Sequence, residues 1–291
     1  MKKKFFLLIL LFILPLVGCV DQSGPLLEQS DEPSVVVTSV VVAEILDALD
    51  IDNVIGVPES QSFNLPERFD DVKRIGAPMS PDMEQIALLA PDWILAPVSL
   101  EADLAPQFAN ININAAFLNL SSIEGMYQSI LELGELFDRE EEAEALVEDF
   151  FESMDEFGEK IYGEESPTVL ILMGLPGSYI VATELSYVGN LVKLAGGTNV
   201  YEDEEGSDFV NINAEDMLER DPDIILLTSH ALPEQVEAMF EEEFAENEIW
   251  SHFRAVEDGR VYTLSHELFG MSANFRYEAA LIELQRIFFG E

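Results

Sequence analysis

Two segments of this chain, 131 residues apart, follow one pattern: an acid, then, seven residues on, a Pro-Asp pair that opens an apolar run. Glu84 leads to Pro91-Asp92 ahead of Trp93-Ile94-Leu95, and Glu215 leads to Pro222-Asp223 ahead of Ile224-Ile225-Leu226. A helix-to-strand unit met twice predicts two equivalent sheets, each holding its copy in the same place. The rest of the chain fits that reading. Val35-Val36-Val37-Thr38 reads as a strand, Val41 to Leu49 as a helix and Val54 to Val57 as a second strand. Met83 to Leu89 is helical, Trp93 to Ala96 and Ala115 to Leu118 are strand-like, and Ser121 to Phe137 is an amphipathic helix. After Gly163 and Pro167 the alternation restarts with strands at Val169 to Met173, Ile224 to Thr228 and Val261 to Leu264, a helix at Val188 to Leu194, and a last helix near Tyr277 to Phe289. Alternation of this kind predicts parallel α/β sheets. Between the halves, Glu140 to Ile161 carries Ala143, Leu146, Val147, Phe150, Phe151, Met154 and Phe157 at three- and four-residue spacings. As one helix it would run about 33 Å. The expected architecture is therefore α/β: two Rossmann-like lobes, residues 34–137 and 164–291, joined by one long backbone helix within 138–163. A single large sheet is the alternative.

The N-terminus reads as an export signal. Lys2, Lys3 and Lys4 precede an apolar stretch from Phe5 to Leu14 that is too short to span a bilayer. Leu16-Val17-Gly18 then leads into Cys19, the one cysteine of the sequence. A thiol at that place is where a lipid would be attached after cleavage, so residues 1–18 are expected to be a lipoprotein signal peptide. Residues 19–33, polar and broken by Gly24, Pro25 and Pro33, read as a lipidated flexible tether. The alternatives are an ordinary secretory signal or a short anchor helix. Removing the first 18 residues takes away three lysines and no acid, moving the net charge from −43 to −46. Such a surface repels phosphate backbones and argues against nucleic acid as a partner. The content of 48% hydrophobic and 10% aromatic residues argues equally against disorder.

In open α/β sheets, ligands gather at the carboxyl ends of the strands, and two lobes add a cleft between them. Enzyme chemistry finds little support there. The sequence has no Gly-x-Ser-x-Gly, no Gly-x-x-x-x-Gly-Lys, no His-Glu-x-x-His, and three histidines in all. Two positions stand out instead. His230 ends the apolar stretch Ile224-Ile-Leu-Leu-Thr-Ser-His230, read as a strand, where a carboxyl-end site would lie; otherwise it is a surface or helix-capping histidine. Met79 lies in Gly76-Ala77-Pro78-Met79-Ser80-Pro81, where Ser80 is expected to cap the next helix with Pro81 in its first position; the alternative for Met79 is a core plug. A thioether and an imidazole from opposite lobes suit haem iron. His252 and His266 lack such a setting and read as surface residues.

Taken with Gly76-Ala-Pro-Met79-Ser-Pro-Asp-Met-Glu84, Gly174-Leu-Pro-Gly-Ser-Tyr-Ile-Val-Ala-Thr183, Tyr187-Val-Gly-Asn-Leu-Val-Lys-Leu-Ala-Gly-Gly-Thr-Asn-Val-Tyr201, Thr228-Ser-His230-Ala-Leu-Pro and Phe269-Gly-Met-Ser-Ala-Asn274, the chain resembles the haem-carrying substrate-binding lipoproteins of ABC importers, of the class with a rigid interlobe helix (class III). The resemblance covers essentially the whole mature chain. It implies haem capture at the extracytoplasmic face of the cell membrane by a lipid-anchored monomer, and delivery to a permease dimer with its ATPase. Cell-surface haem-binding proteins would act upstream. It implies that Met79 and His230 are axial ligands of haem iron. It also implies that haem propionates meet backbone N–H groups at helix starts, here Thr38-Ser39-Val40 and Ser60-Gln61, for which plain capping is the alternative. Tyr179, Phe269 and Met271 are candidate walls of an apolar slot. The acidity of the chain leaves cationic clamps scarce. Glu84 and Glu215, one per lobe, would dock into arginine pockets of the permease; the alternative is that they only complement helix dipoles. A siderophore or cobalamin carrier of the same class is the alternative function, with an adhesion lipoprotein or a haem-degrading enzyme further off.

Overall fold

The computed structural model describes residues 32–60, 63–202, 206–229 and 232–290. In the first half, β1 (Val35–Val37), α1 (Val40–Ala48), β2 (Val54–Gly56), a small hairpin of β3 (Gly76–Ala77) and β4 (Ser80–Pro81), α2 (Met83–Leu89), β5 (Trp93–Pro97), α3 (Glu101–Ile111) and β6 (Asn114–Leu118) follow one another. Their main sheet has the order β2-β1-β5-β6, every pair parallel. Helices α4 (Ile123–Phe137) and α5 (Glu140–Lys160) then lead to the second half. It holds β7 (Thr168–Leu175), β8 (Ser178–Ala182), α6 (Tyr187–Leu194), β9 (Thr198–Asn199), β10 (Phe209–Val210), α7 (Ala214–Glu219), β11 (Ile224–Ser229), α8 (Pro233–Glu246), α9 (Arg254–Glu257), β12 (Val261–Thr263) and α10 (Tyr277–Phe289). The second sheet runs β10-β8-β7-β11-β12, with β9 also on β7.

The second sheet is mixed, not wholly parallel. Strands β7 and β8 are antiparallel because only Pro176 and Gly177 separate them, and Gly177 has φ +83°. Two residues cannot carry a parallel crossover, whereas Pro-Gly makes a tight turn.

The repeat seen in the sequence has a structural cause. Asp92, just before β5, accepts hydrogen bonds from the Ser34 N–H (2.8 Å) and hydroxyl (2.7 Å), fixing β1 beside β5. Asp223, just before β11, accepts from the Thr168 N–H and hydroxyl, both at 2.8 Å, fixing β7 beside β11. In return the Asp92 N–H donates to the Ser34 hydroxyl (3.1 Å) and the Asp223 N–H to the Thr168 hydroxyl (3.0 Å). The two Pro-Asp pairs thus set the register of two equivalent parallel strand pairs.

Strand alternation sorts the core. Val35 and Val37 of β1, Val169 and Ile171 of β7, and Ile224 and Leu226 of β11 all point into one continuous buried cluster that includes α4, α10 and residues of α5. Val36 and Ile94 face a second cluster in the first half, and Leu170, Leu172, Ile225 and Leu227 a third in the second half. The halves therefore share the central core. Helix α5 buries Ala143, Phe150 and Phe157, one residue every two turns, and leaves its acidic first turn in solvent. It crosses α4 closely: a Cβ on Gly134 would lie 2.7 Å from the Ala143 Cβ.

Candidate functional site

The carboxyl ends of β1, β2, β11 and β12 lead into a cleft of about 370 Å³ between the halves. The first half contributes the start of α1 (Ser39, Val40, Val41), Ser60, Phe63 and Pro78. The second contributes Ser229, Leu232, Pro233 and the segment from His266 to Arg276, including Met271. An adjoining cavity of about 310 Å³ opens over the ends of β11 and β12 and shares Ser229, Pro233 and His266 with the cleft. Both volumes lie within the ordinary range for small-molecule sites.

Helix α1 starts at Val40 and its first intrahelical bond is the Ala43 N–H to the Ser39 carbonyl, 3.1 Å. The N–H groups of Val40, Val41 and Val42 thus have no partner in the helix. Ser39 is the N-cap residue, yet its side chain makes no capping bond. Donors and the positive end of the helix dipole are turned to the cleft wall, an arrangement that favours an anion. Ser60 also lines the cleft, with its hydroxyl accepting the Phe63 N–H at 3.1 Å. Thr38 does not belong to this set. It is fully buried, and both its N–H (3.0 Å) and its hydroxyl (3.4 Å) donate to the Leu95 carbonyl.

Met79 lies between β3 and β4, with its neighbour Pro78 on the cleft. It is 64% exposed, which rules out a core plug. The expected cap of the next helix is corrected: Asp82, not Ser80, caps α2, accepting from the Glu84 N–H (3.1 Å) and the Gln85 N–H (3.0 Å). Ser80 and Pro81 instead pair with β3. Those bonds, with that from the Gln85 side chain foremost, hold the Asp82 carboxyl below its usual range.

Two expected wall residues belong elsewhere. Phe269 is fully buried in the central core, and its carbonyl accepts the Thr228 hydroxyl at 2.6 Å. Tyr179 packs at ring-centroid distances of 6.0 and 6.1 Å against Phe240 and Trp250, donating to Glu243 at 3.4 Å. Burial, then the nearby Glu243 charge, pushes its pKa up to about 12. Cys19, Gln61 and His230 lie outside the described residues. Ser229 and Leu232, on either side of the segment that carries His230, both line the cleft.

Three cleft residues were not anticipated. His266, read as a surface residue, faces Phe63 across the cleft at 6.3 Å between ring centroids. Arg276 places its guanidinium 5.5 Å from the Phe63 centroid and donates to Glu44 of α1 at 2.8 and 3.4 Å. Phe63 and Arg276 gave no local signal, because their setting depends on partners in the opposite half.

Glu84 and Glu215 are both exposed second residues of helices, α2 and α7. In each helix the capping is done by a preceding residue, Asp82 or Asn213, and Asn213 accepts the Asp216 N–H at 2.9 Å. Capping by an Asx side chain leaves both glutamate side chains directed to solvent.

Residues 35–268 match the family model for periplasmic binding proteins. The high-affinity heme uptake system protein IsdE of Staphylococcus aureus strain Newman is 36% identical over 287 residues, covering 98% of this chain and 97% of that protein. Among solved structures, an ABC transporter substrate-binding protein from Listeria monocytogenes EGD-e superimposes with a TM-score of 0.84 at 45% identity, covering 89% of this chain and all of that one. S. aureus IsdE complexed with heme gives 0.83 at 38% identity, covering 89% and 99%.

Proposed function

This chain belongs to the periplasmic binding protein family, and on that footing we propose that it captures haem outside the membrane and hands it to an ABC permease. The observation that carries this reading is the cleft. Loops at the carboxyl ends of strands from both halves meet there, with the Met79 turn beside Pro78 on one side and the ends of the His230 segment on the other. In this reading Met79 and His230 are the axial ligands of the iron, the start of α1 and Ser60 receive propionates, and Met271 forms part of the apolar wall. The protein does no covalent chemistry: it supplies ligands, orientation and a partly dry slot to a cargo that leaves intact. Cys19 carries the lipid, residues 1–18 are removed, residues 19–33 tether the domain, and Glu84 and Glu215 contact the permease dimer. No helix among the described residues is long and apolar enough to cross a membrane, and a lipid would hold the chain at the extracytoplasmic face.

A thioether opposite an imidazole raises the iron potential relative to two imidazoles. Adding hemin to the purified protein should give one tightly bound haem with a shifted Soret band. Met79→Ala and His230→Ala should each change the Soret and visible bands, and Met79→His should lower the midpoint potential. Parent spectra in both alanine variants would refute the ligand assignment.

A further inference from the structure

Arg276 is the one Lys or Arg among the described residues that line the cleft, in a chain whose net charge is −43. An anionic ligand entering such a protein meets a repulsive long-range field, so a local cation weighs heavily in what the cleft accepts. The side chain is held in place from two sides. Its two terminal nitrogens donate to the two carboxylate oxygens of Glu44 at 2.8 and 3.4 Å. Its guanidinium lies 5.5 Å from the Phe63 ring centroid. Its Nε is buried without a hydrogen-bond partner. Glu44 sits one turn along α1 from Val40, so the guanidinium runs beside the helix start whose N–H groups line the same wall. A guanidinium has five N–H donors, and Glu44 takes one from each terminal nitrogen. Each of those nitrogens keeps a second N–H.

We infer that Arg276 selects for ligand carboxylates, bridging Glu44 and a carboxylate of the bound porphyrin. This rests on the haem reading above and deepens it: the cleft discriminates by ligand charge as well as by iron ligation. The rim also carries one acid, Glu267, and one imidazole, His266; neither supplies a permanent positive charge. A purely structural strap between the halves is the competing role for Arg276, since Glu44 and Arg276 belong to opposite halves.

The test titrates the purified protein with iron protoporphyrin IX and with its dimethyl ester, following the Soret band. The parent protein should prefer the diacid by at least about tenfold, as expected for a charge-assisted hydrogen bond. Arg276→Gln should weaken the diacid at least about tenfold and leave the ester within about twofold. Glu44→Gln, which frees the guanidinium, should keep or tighten diacid binding. Equal losses for both porphyrins in Arg276→Gln, or equal weakening by Glu44→Gln, would assign the pair to a strap and overturn the inference. Should Arg276→Gln not fold, the parent protein still decides, because equal affinity for diacid and ester overturns it too. Failure of the parent protein to bind either porphyrin would instead overturn the haem reading itself.

Discussion

Asp223 accepts two hydrogen bonds from Thr168 and pairs with Arg254 at 2.9 Å. Burial alone would raise its pKa, but the Thr168 bonds and the Arg254 charge outweigh it and hold the carboxyl below its usual range. Asp92 is lowered by its Ser34 bonds. A carboxyl depressed in the folded state adds stability that is present above the unfolded value, about 3.9, and is lost as pH falls through the folded value. Asp223→Ala should therefore cost about 2 kcal/mol at pH 7, measured by urea denaturation, and progressively less as pH falls below the unfolded value. Asp92→Ala should act in the same direction. Relief of self-repulsion on acidification acts oppositely in both parent and variant, so their difference isolates the clamp; a pH-independent difference would refute it. The sequence made the two Pro-Asp positions visible as a repeat, but their work depends on Ser34 and Thr168, 58 and 55 residues away. Arg276 is further from its partner still, 232 residues from Glu44. Tyr179 and Phe269 show the converse failure: an aromatic beside glycines reads the same whether it faces a cleft or a core, and burial is settled only by the packed halves.

At the level of elements, periodicity located most helices and strands to within a residue or two, including α2 at Met83–Leu89 and α10 at Tyr277–Phe289. Helix α3 went unread because it carries Pro106 in its interior, where proline removes a helical hydrogen bond and normally argues against a helix. Buried Leu104 and Phe108, facing the first-half core, hold it regardless. The small hairpin of β3 and β4 was missed because two-residue strands have no period to detect, and with it the true cap, Asp82. The crossing of α4 and α5 gives a sharper test of how the long helix is seated. Gly134 offers no side chain where Ala143 packs, and an added Cβ would sit at 2.7 Å. Helix propensity alone favours Gly134→Ala by about 1 kcal/mol, whereas overpacking costs about 1–3 kcal/mol. We expect Gly134→Ala to lower the thermal midpoint and Ala143→Gly to restore part of the loss in the double variant. A more stable Gly134→Ala protein would mean that the helices part at no cost.

Across the whole molecule, the halves are fastened by more than their one covalent connection through α4 and α5. Their sheets share a core, and bonds cross between them from the Ile123 N–H to Asn190 (3.0 Å), from Asn190 to Glu124 (2.9 Å), from Ser121 to Asp208 (3.0 Å) and from the Ala273 N–H to the Leu120 carbonyl (2.7 Å). Tyr127 and Tyr277 join their hydroxyls at 3.2 Å in the same region. A frame braced in this way keeps the spacing of Glu84 and Glu215 constant, which matters if each is to meet one subunit of a permease dimer at once. The two sites are equivalent in local build but not in chemistry, since α2 exposes Leu88 (86% exposed) one turn after Glu84, whereas α7 has Glu219 after Glu215. On a surface this acidic, reversing two charges scarcely changes the long-range field, so a large effect of doing so must come from direct contact. Paired charges at such contacts set orientation and encounter rate more than affinity. Glu84→Lys combined with Glu215→Lys should leave haem binding unchanged and lower the thermal midpoint only slightly, because the capping bonds belong to Asp82 and Asn213 and only the charge–dipole interaction is lost. The same double variant should reduce haem-stimulated ATPase in the reconstituted transporter by at least about tenfold, as like charges brought face to face would. Each single variant should fall between the parent and the double, with Glu84→Lys the milder if Leu88 adds apolar contact in the first half. Stimulation equal to that of the parent would remove both glutamates from the docking surface and leave them as solvated ends of well-capped helices.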